Sequence, residues 1–224
     1  FPRAFTAPFA PMHLELWDWV WSIQPNQHIR PFIAIWPRGH GKSTNAEKGV
    51  IALGARRVRS YGLYISGIQD QADKHVQSIG ASLESKEIED AYPEMGRPHL
   101  GKYGAREWRR NRLSTDSNHF TVDALGLDTS MRGIKLEDTR PDFIIFDDLD
   151  DSQDSLDVID KKIHTLTTTI LPARADHCAI LAAQNLIHGN SIFSRLADGR
   201  ADFLADRIVS GPYKAIEDMN WEYQ

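Results

Sequence analysis

The chain has 224 residues, of which 41% are hydrophobic and 25% charged, and its formal net charge is −5. That length supports one large domain with a well-buried core, and no apolar run approaches the roughly 18 residues of a membrane span. The negative balance excludes a global electrostatic signature of nucleic-acid binding, so any such contact has to come from a local patch.

Residues 1–10 lack the basic-then-apolar order of a secretory leader. With Phe1 where an initiator Met would stand, the chain reads as a fragment. The single cysteine, Cys178, excludes an internal disulfide and fits a reducing compartment. It lies in an apolar run and reads as a small core residue.

Apolar runs alternate with helical patterns, which points to an α/β fold with a mainly parallel central sheet flanked by helices. In chain order the pattern predicts a helix over 13–23, a strand over 32–36, a helix over 42–55, a strand over 62–66 and a helix over 69–85. Residues 94–116 are polar and rich in Arg and Gly, so they read as an excursion from the sheet. Strands follow over 119–122 and 143–146, then a helix over 156–169, a strand over 178–183, a helix over 191–197 and a strand over 207–210. Residues 211–224, opened by Gly211-Pro212, read as a linker.

The segment Trp36-Pro37-Arg38-Gly39-His40-Gly41-Lys42-Ser43-Thr44 sits between an apolar strand and a helix start. That is the context of a phosphate-gripping loop, in which backbone N–H groups and the helix dipole face negative charge. Lys42 is placed to reach the terminal phosphates of ATP, and the Ser43 hydroxyl to sit on Mg²⁺. One position departs from the usual pattern: Trp36 stands where the first glycine is expected. A turn that binds nothing is the bland alternative.

The run Phe143-Ile144-Ile145-Phe146-Asp147-Asp148 is an apolar strand ending in two carboxylates. Ligands bind beyond the carboxyl ends of buried parallel strands. Asp147 is therefore assigned to the metal and Asp148 to the base that deprotonates an attacking water. The carboxylates that follow, Asp150, Asp151, Asp154, Asp157 and Asp160, read as solvated or close to a helix N-terminus.

In this setting four segments together resemble the ATPase domain of the large terminase subunit of tailed bacteriophages. They are Phe9 to Trp19, similar to an adenine-side segment; Pro37 to Ser43; Met131-Arg132-Gly133 with Arg140-Pro141-Asp142; and Leu181-Ala182-Ala183-Gln184-Asn185 followed by His188 to Leu196. The resemblance implies a P-loop NTPase of the ASCE type, with residues 1–30 as the adenine-side segment, 31–210 as the ATPase core and 211–224 as a linker toward a C-terminal nuclease that this chain does not include. It implies ATP and Mg²⁺ as cofactors and a motor that drives double-stranded DNA into a procapsid in the host cytoplasm. The implied partners are the portal protein, the small terminase subunit and further copies of the chain in a ring, with no membrane. Two positions depart from the family pattern. Asp148 replaces the usual Glu, and Gln184-Asn185 replaces the hydroxyl-bearing coupling residues. A side-chain amide can still sense a γ-phosphate by hydrogen bonding.

The same resemblance makes Arg38 the candidate that acts within its own subunit, although pairing with a carboxylate to hold the loop is the alternative. Arg132 and Arg140 are candidates for donation to a neighbour's site, or for pairing with Asp142 or Asp138. His13 is placed near the adenine. Arg97, Lys102, Arg106, Arg109, Arg110 and Arg112, with Tyr103 and Trp108, are candidates for DNA phosphate contact or a solvated face. Arg56, Arg57 and Arg59 fit the C-terminal dipole of the preceding helix, and Trp17, Trp19 and Trp21 fit core packing. A helicase-like or repair ATPase, and a nucleotide-binding switch with little hydrolysis, remain the other readings.

Overall fold

A computed structural model describes residues 4–100, 108–116, 120–129 and 139–214. Helix α1 (Pro11–Ser22) leads into β1 (Phe32–Ile35), α2 (Lys42–Ala55), β2 (Tyr61–Ser66), α3 (Gln69–Leu83) and α4 (Lys86–Ala91). A short strand β3 (Arg112–Ser114) precedes β4 (Thr121–Gly126) and β5 (Phe143–Asp147). Then come α5 (Leu156–Thr165), a π turn (Leu166–Ile170), α6 (Leu171–Ala173), β6 (Ala179–Gln184), α7 (Ile192–Ala197) and β7 (Ile208–Ser210).

The seven strands form one sheet in the order β3-β4-β2-β5-β6-β1-β7. Every pairing is parallel except that of β3 with β4. Strand β6 is thus inserted between β1, which leads into the glycine-bearing loop at 36–44, and β5, which ends in the carboxylates. Parallel strands covered on both faces have no polar side, and β1, β2, β5 and β6 are buried at every residue. Their side chains alternate between two cores. Phe32, Ala34, Tyr64, Phe143 and Ile145 face the core under α1, α2 and α3. Ile33, Ile35, Ile65, Ile144 and Phe146 face the core under α5 and α7.

Local chemistry explains several boundaries. Ser155 caps α5 by accepting from the Val158 N–H, and Ser191 caps α7 by accepting from the Ser194 N–H. The helix expected over 156–169 changes register instead of continuing. Pro172 has no N–H for the carbonyl four residues back, and the chain widens into the π turn before it. Strand β3 and helix α4 have three and six residues, too short for periodicity to reveal. Strand β4 runs to Gly126, past the expected end at 122, because Asp123 in its interior is neutralised by Arg112 at 2.6 Å. The expected start of that strand at His119 lies outside the described residues, as do residues 215–224 of the linker.

The basic residues after α2 do different work from that expected. Arg56 donates to the carbonyls of Val20, Trp21 and Ile23, so it closes the end of α1 rather than that of its own helix. Arg59 is buried and donates to the carbonyls of Gln24, Gln27, Val58 and His177. Trp17 and Trp19 are core residues, but Trp21 is exposed under the Arg56 guanidinium at 4.8 Å. Cys178 is buried and burial pushes its thiol up to about 12, as befits a packing residue. Among the described residues no helix is long and apolar enough to cross a membrane.

Gly62 on β2 is the register partner of Phe143 on β5, and a Cβ added there would overlap the Phe143 ring. Gly62→Ala is expected to destabilise the fold by about 1–3 kcal/mol, as overpacking of a close-packed core does. Urea unfolding measures this, and an unchanged midpoint would show that the ring can move aside.

Candidate nucleotide site

The carboxyl ends of β1, β2, β4, β5 and β6 open into one cleft of about 1260 Å³. Arg38, Gly39, Gly41, Lys42, Ser43 and Thr44 line one wall, and Asp148, Asp150, Gln184 and Asn185 line another. Gly39 and Gly41 adopt left-handed backbone angles, φ 83° and 70°, that side-chain-bearing residues rarely take. Gly41 is the N-cap of α2, so the first N–H groups of that helix are presented at the turn. Lys42 Nζ donates to the carbonyls of Trp36 and Pro37 at 3.1 and 2.9 Å. Burial lowers its pKa, while Asp148 and Asp147 oppose that shift.

Asp147 is fully buried at the end of β5. Its Oδ2 accepts from the Tyr64 hydroxyl at 2.7 Å and lies 3.5 Å from His75 Nε2. Its Oδ1 is buried with no hydrogen-bond partner. Burial raises its pKa above the ordinary carboxylate range, with Asp148 adding to the rise and His75, Tyr64 and the nearby Ser43 hydroxyl opposing it. A buried, unpartnered oxygen beside a hydroxyl is a donor set that suits Mg²⁺. Ser43 and Asp147 therefore fit the metal assigned to them.

Asp148 has left-handed backbone, φ 49°, uncommon for a residue with a side chain. It is half-buried on the cleft wall, and Gln71 Nε2 donates to its Oδ2 at 3.2 Å. Sequence reasoning missed Gln71; its place in the first turn of α3, directly after β2, was the available signal. Gln184 is buried, and both ends of its amide are used. Its Oε1 accepts from the Asp150 N–H at 3.0 Å and its Nε2 donates to the Asp150 carbonyl at 2.7 Å. Asn185 is half-buried and donates to the Leu186 carbonyl at 3.3 Å. Asp150 is not solvated: its two oxygens accept from the Ile192 and Phe193 N–H groups of α7.

The N-terminal segment grips the phosphate loop. His13 Nδ1 accepts from the Ala10 N–H, so its Nε2 carries the proton and donates to the His40 carbonyl at 3.0 Å. Both ring nitrogens are thus bonded to backbone in the segment expected near the adenine. Trp17 Nε1 donates to Asn45 Oδ1, and Asn45 Nδ2 donates to the Gly41 carbonyl. Trp36 Nε1 donates to Ser210 Oγ, which donates to Glu15.

Solved structures that resemble the chain include phage terminases. The ATPase domain of the Thermus phage P74-26 large terminase matches with a TM-score of 0.54 and 15% identity, over 83% of this chain and 68% of that one. A variant of the same domain gives 0.52 and 16% identity, over 86% and 71%. The large terminase of bacteriophage HK97 gives 0.58 and 15% identity, over 96% of this chain but 41% of that one. The chain has the fold of a phage large-terminase ATPase domain. No protein-family model matches it, and no curated protein matches it by sequence.

On this terminase fold the arginine candidates separate. Arg38 is exposed on the cleft wall and pairs with no described carboxylate. Arg140 is exposed before the amino end of β5, where it donates to the Pro172 carbonyl at 3.4 Å. That places it seven residues before Asp147, roughly 20 Å from the carboxyl end of its own strand. Arg140 does not pair with Asp142, whose carboxylate accepts from Ser60 and Tyr61. Arg132 and Asp138 lie outside the described residues, as do Lys102, Tyr103 and Arg106. In the rest of the basic segment, Arg110 pairs with Asp70 and Asp73, Arg112 pairs with Asp123, and the Trp108 indole donates to the Ser114 carbonyl.

Because Asp147 is easier to bury protonated, Asp147→Asn is expected to stabilise the metal-free fold by about 0.5–2 kcal/mol. A group whose folded pKa is raised stabilises the fold below its ordinary value and loses that contribution as pH rises through the raised value. The gain should therefore vanish in acid and grow toward neutral pH. Thermal unfolding in EDTA across that range checks it; a variant less stable at neutral pH contradicts the assignment of Asp147 as an unrelieved buried charge.

Proposed function

We propose that the chain is an ATP-hydrolysing motor domain of a DNA-packaging terminase. The observation that carries this reading is the unpartnered Oδ1 of Asp147, buried beside Ser43 at the foot of the phosphate loop. A scaffold turn has no use for such an atom, whereas a site for a metal-bound nucleotide does. Identity of 15% to the terminases speaks for fold, so the activity is argued from the site.

Backbone N–H groups at Gly39–Ser43 and the Lys42 ammonium bind the phosphates, Lys42 exchanging its loop carbonyls for phosphate oxygens. Ser43 and Asp147 would hold Mg²⁺, which would supply positive charge against that of the phosphates. Asp148 takes the proton from the attacking water, and Gln71 sets the direction of its carboxylate. Arg38 stabilises the charge that gathers on the transferring phosphoryl group. Gln184 and Asn185 relay the state of that phosphate, Gln184 through its grip on Asp150. Arg140 or Arg132 reaches the site of a neighbouring copy in a ring, since Arg140 is too far from its own. The work done is translocation of double-stranded DNA through a portal, in company with a small terminase subunit, in the host cytoplasm.

Hydrolysis of ATP by the purified protein, measured against protein concentration, tests this. Asp148→Asn is expected to lower turnover by about 10²–10⁴-fold with nucleotide binding retained. Arg38→Ala is expected to lower it by about 10³-fold or more. Steady turnover in Asp148→Asn removes the base assignment. If neither Arg132→Ala nor Arg140→Ala lowers the concentration-dependent part of the rate, no neighbour's arginine is used. Strand separation by the isolated protein would favour a helicase-like ATPase on the same core.

A further inference from the structure

We propose that His75, backed by Glu47, is a positioning residue that aims the Asp147 carboxylate at a divalent cation. This rests on the metal–nucleotide reading of the site and deepens it with two residues that no motif contains.

His75 lies on α3 and is half-buried between two carboxylates from different elements. Its Nδ1 is 2.8 Å from Glu47 Oε1 on α2, and its Nε2 is 3.5 Å from Asp147 Oδ2 on β5. The other Glu47 oxygen accepts from the Ser78 hydroxyl at 2.7 Å. Carboxylates offer only acceptors, so a ring that donates to Glu47 through Nδ1 and faces Asp147 through Nε2 serves both as the doubly protonated imidazolium. The ring is also stacked on Tyr64, with centroids 4.7 Å apart and planes 21° from parallel. Tyr64 sends its hydroxyl to the same Asp147 oxygen that His75 faces. The Tyr64 hydrogen bond and the 3.5 Å ionic contact of His75 therefore both fall on Oδ2. Since a carboxylate is planar and its Cα is fixed in the sheet, holding Oδ2 fixes the direction of Oδ1, the oxygen left without a partner. Outer-shell groups of this kind orient metal ligands, and their loss typically weakens metal affinity about 10–100-fold.

A polar contact between α2 and α3 could serve helix packing alone. Two amide replacements separate the roles. The Gln amide nitrogen matches the position of imidazole Nε2 and keeps the donor toward Asp147, while the Asn amide nitrogen matches Nδ1 and keeps only the donor toward Glu47. Binding of a fluorescent ATP analogue is titrated with Mg²⁺, and separately measured in EDTA, alongside thermal melts. His75→Ala and His75→Asn are expected to raise the half-saturating Mg²⁺ concentration about 10–100-fold, with binding in EDTA within about twofold of the parent. His75→Gln should stay within about threefold of the parent, and Glu47→Gln should fall between. If packing alone is served, Asn and Gln behave alike, and affinity falls equally with and without Mg²⁺; that result overturns the proposal. Should His75→Ala fail to fold, an unchanged Mg²⁺ requirement in both His75→Asn and Glu47→Gln overturns it equally. A parent protein whose binding ignores Mg²⁺ removes the metal–nucleotide reading itself, a different outcome from a responsive parent with unresponsive variants.

Discussion

An ionised carboxylate withdrawn from water costs several kcal/mol unless its oxygens are hydrogen-bonded or paired, and Asp147 is withdrawn completely with one oxygen unpartnered. The surrounding structure is built to tolerate that cost. The Tyr64 hydroxyl, from the adjacent strand, donates to one oxygen, and the His75 ring of the covering helix lies 3.5 Å from the same oxygen. Glu47, itself buried, holds His75 in turn. The position follows from topology: β5 is a central strand of a parallel sheet, so its carboxyl end opens where ligands bind while its sides stay dry. A short, exposed strand could carry the same two aspartates at no cost and with no consequence.

The phosphate loop meets this carboxylate as a fixed object. Trp36, at the position where a glycine is usual, gives its indole N–H to Ser210 on β7, and Ser210 is tied to Glu15 on α1. His13 and Trp17 on the same helix reach the His40 carbonyl and Asn45. A glycine at 36 would turn the loop with fewer constraints. The tryptophan instead anchors its first residue to the sheet edge and to a helix that precedes the core in sequence. Rigid presentation of backbone donors lowers the ordering cost of gripping a phosphate.

Much of this was legible in the sequence because the decisive signals are short-range. The loop at 36–44 and the strand ending Asp147-Asp148 declare themselves by residue type and context, and the continuous apolar runs give the buried strands. What stayed hidden depends on contacts distant in sequence. Glu47, Tyr64, His75 and Asp147 come from four elements, and nothing in their spacing connects them. The pairing of Arg110 and Arg112 with carboxylates of α3 and β4 is likewise invisible in a basic stretch that looks free. Asp150 reads as one more solvated acid, yet it caps α7 from a loop more than forty residues upstream. Gln184 stands out in sequence at the end of an apolar strand, but the partner of its amide does not.

The partner matters because of where Asp148 is held. Its left-handed backbone places it on a corner between Gly67, whose N–H donates to the Asp148 carbonyl, and Ala183, whose carbonyl receives its N–H at 3.4 Å. Two residues on, the Asp150 backbone is clasped on both sides by the Gln184 amide, and its side chain is clasped by α7. Lys162 of α5 adds a donor to the Leu149 carbonyl at 2.7 Å. The loop from 148 to 150 is therefore bonded to β6, α5 and α7 at once, with few degrees of freedom of its own. A shift of Asp148 of even 1 Å would break these bonds or carry α7 along, and interfaces packed this closely respond in discrete steps rather than by gradual deformation. A displacement of Asp148 therefore has a bonded route through Asp150 to α7 and the core beneath it.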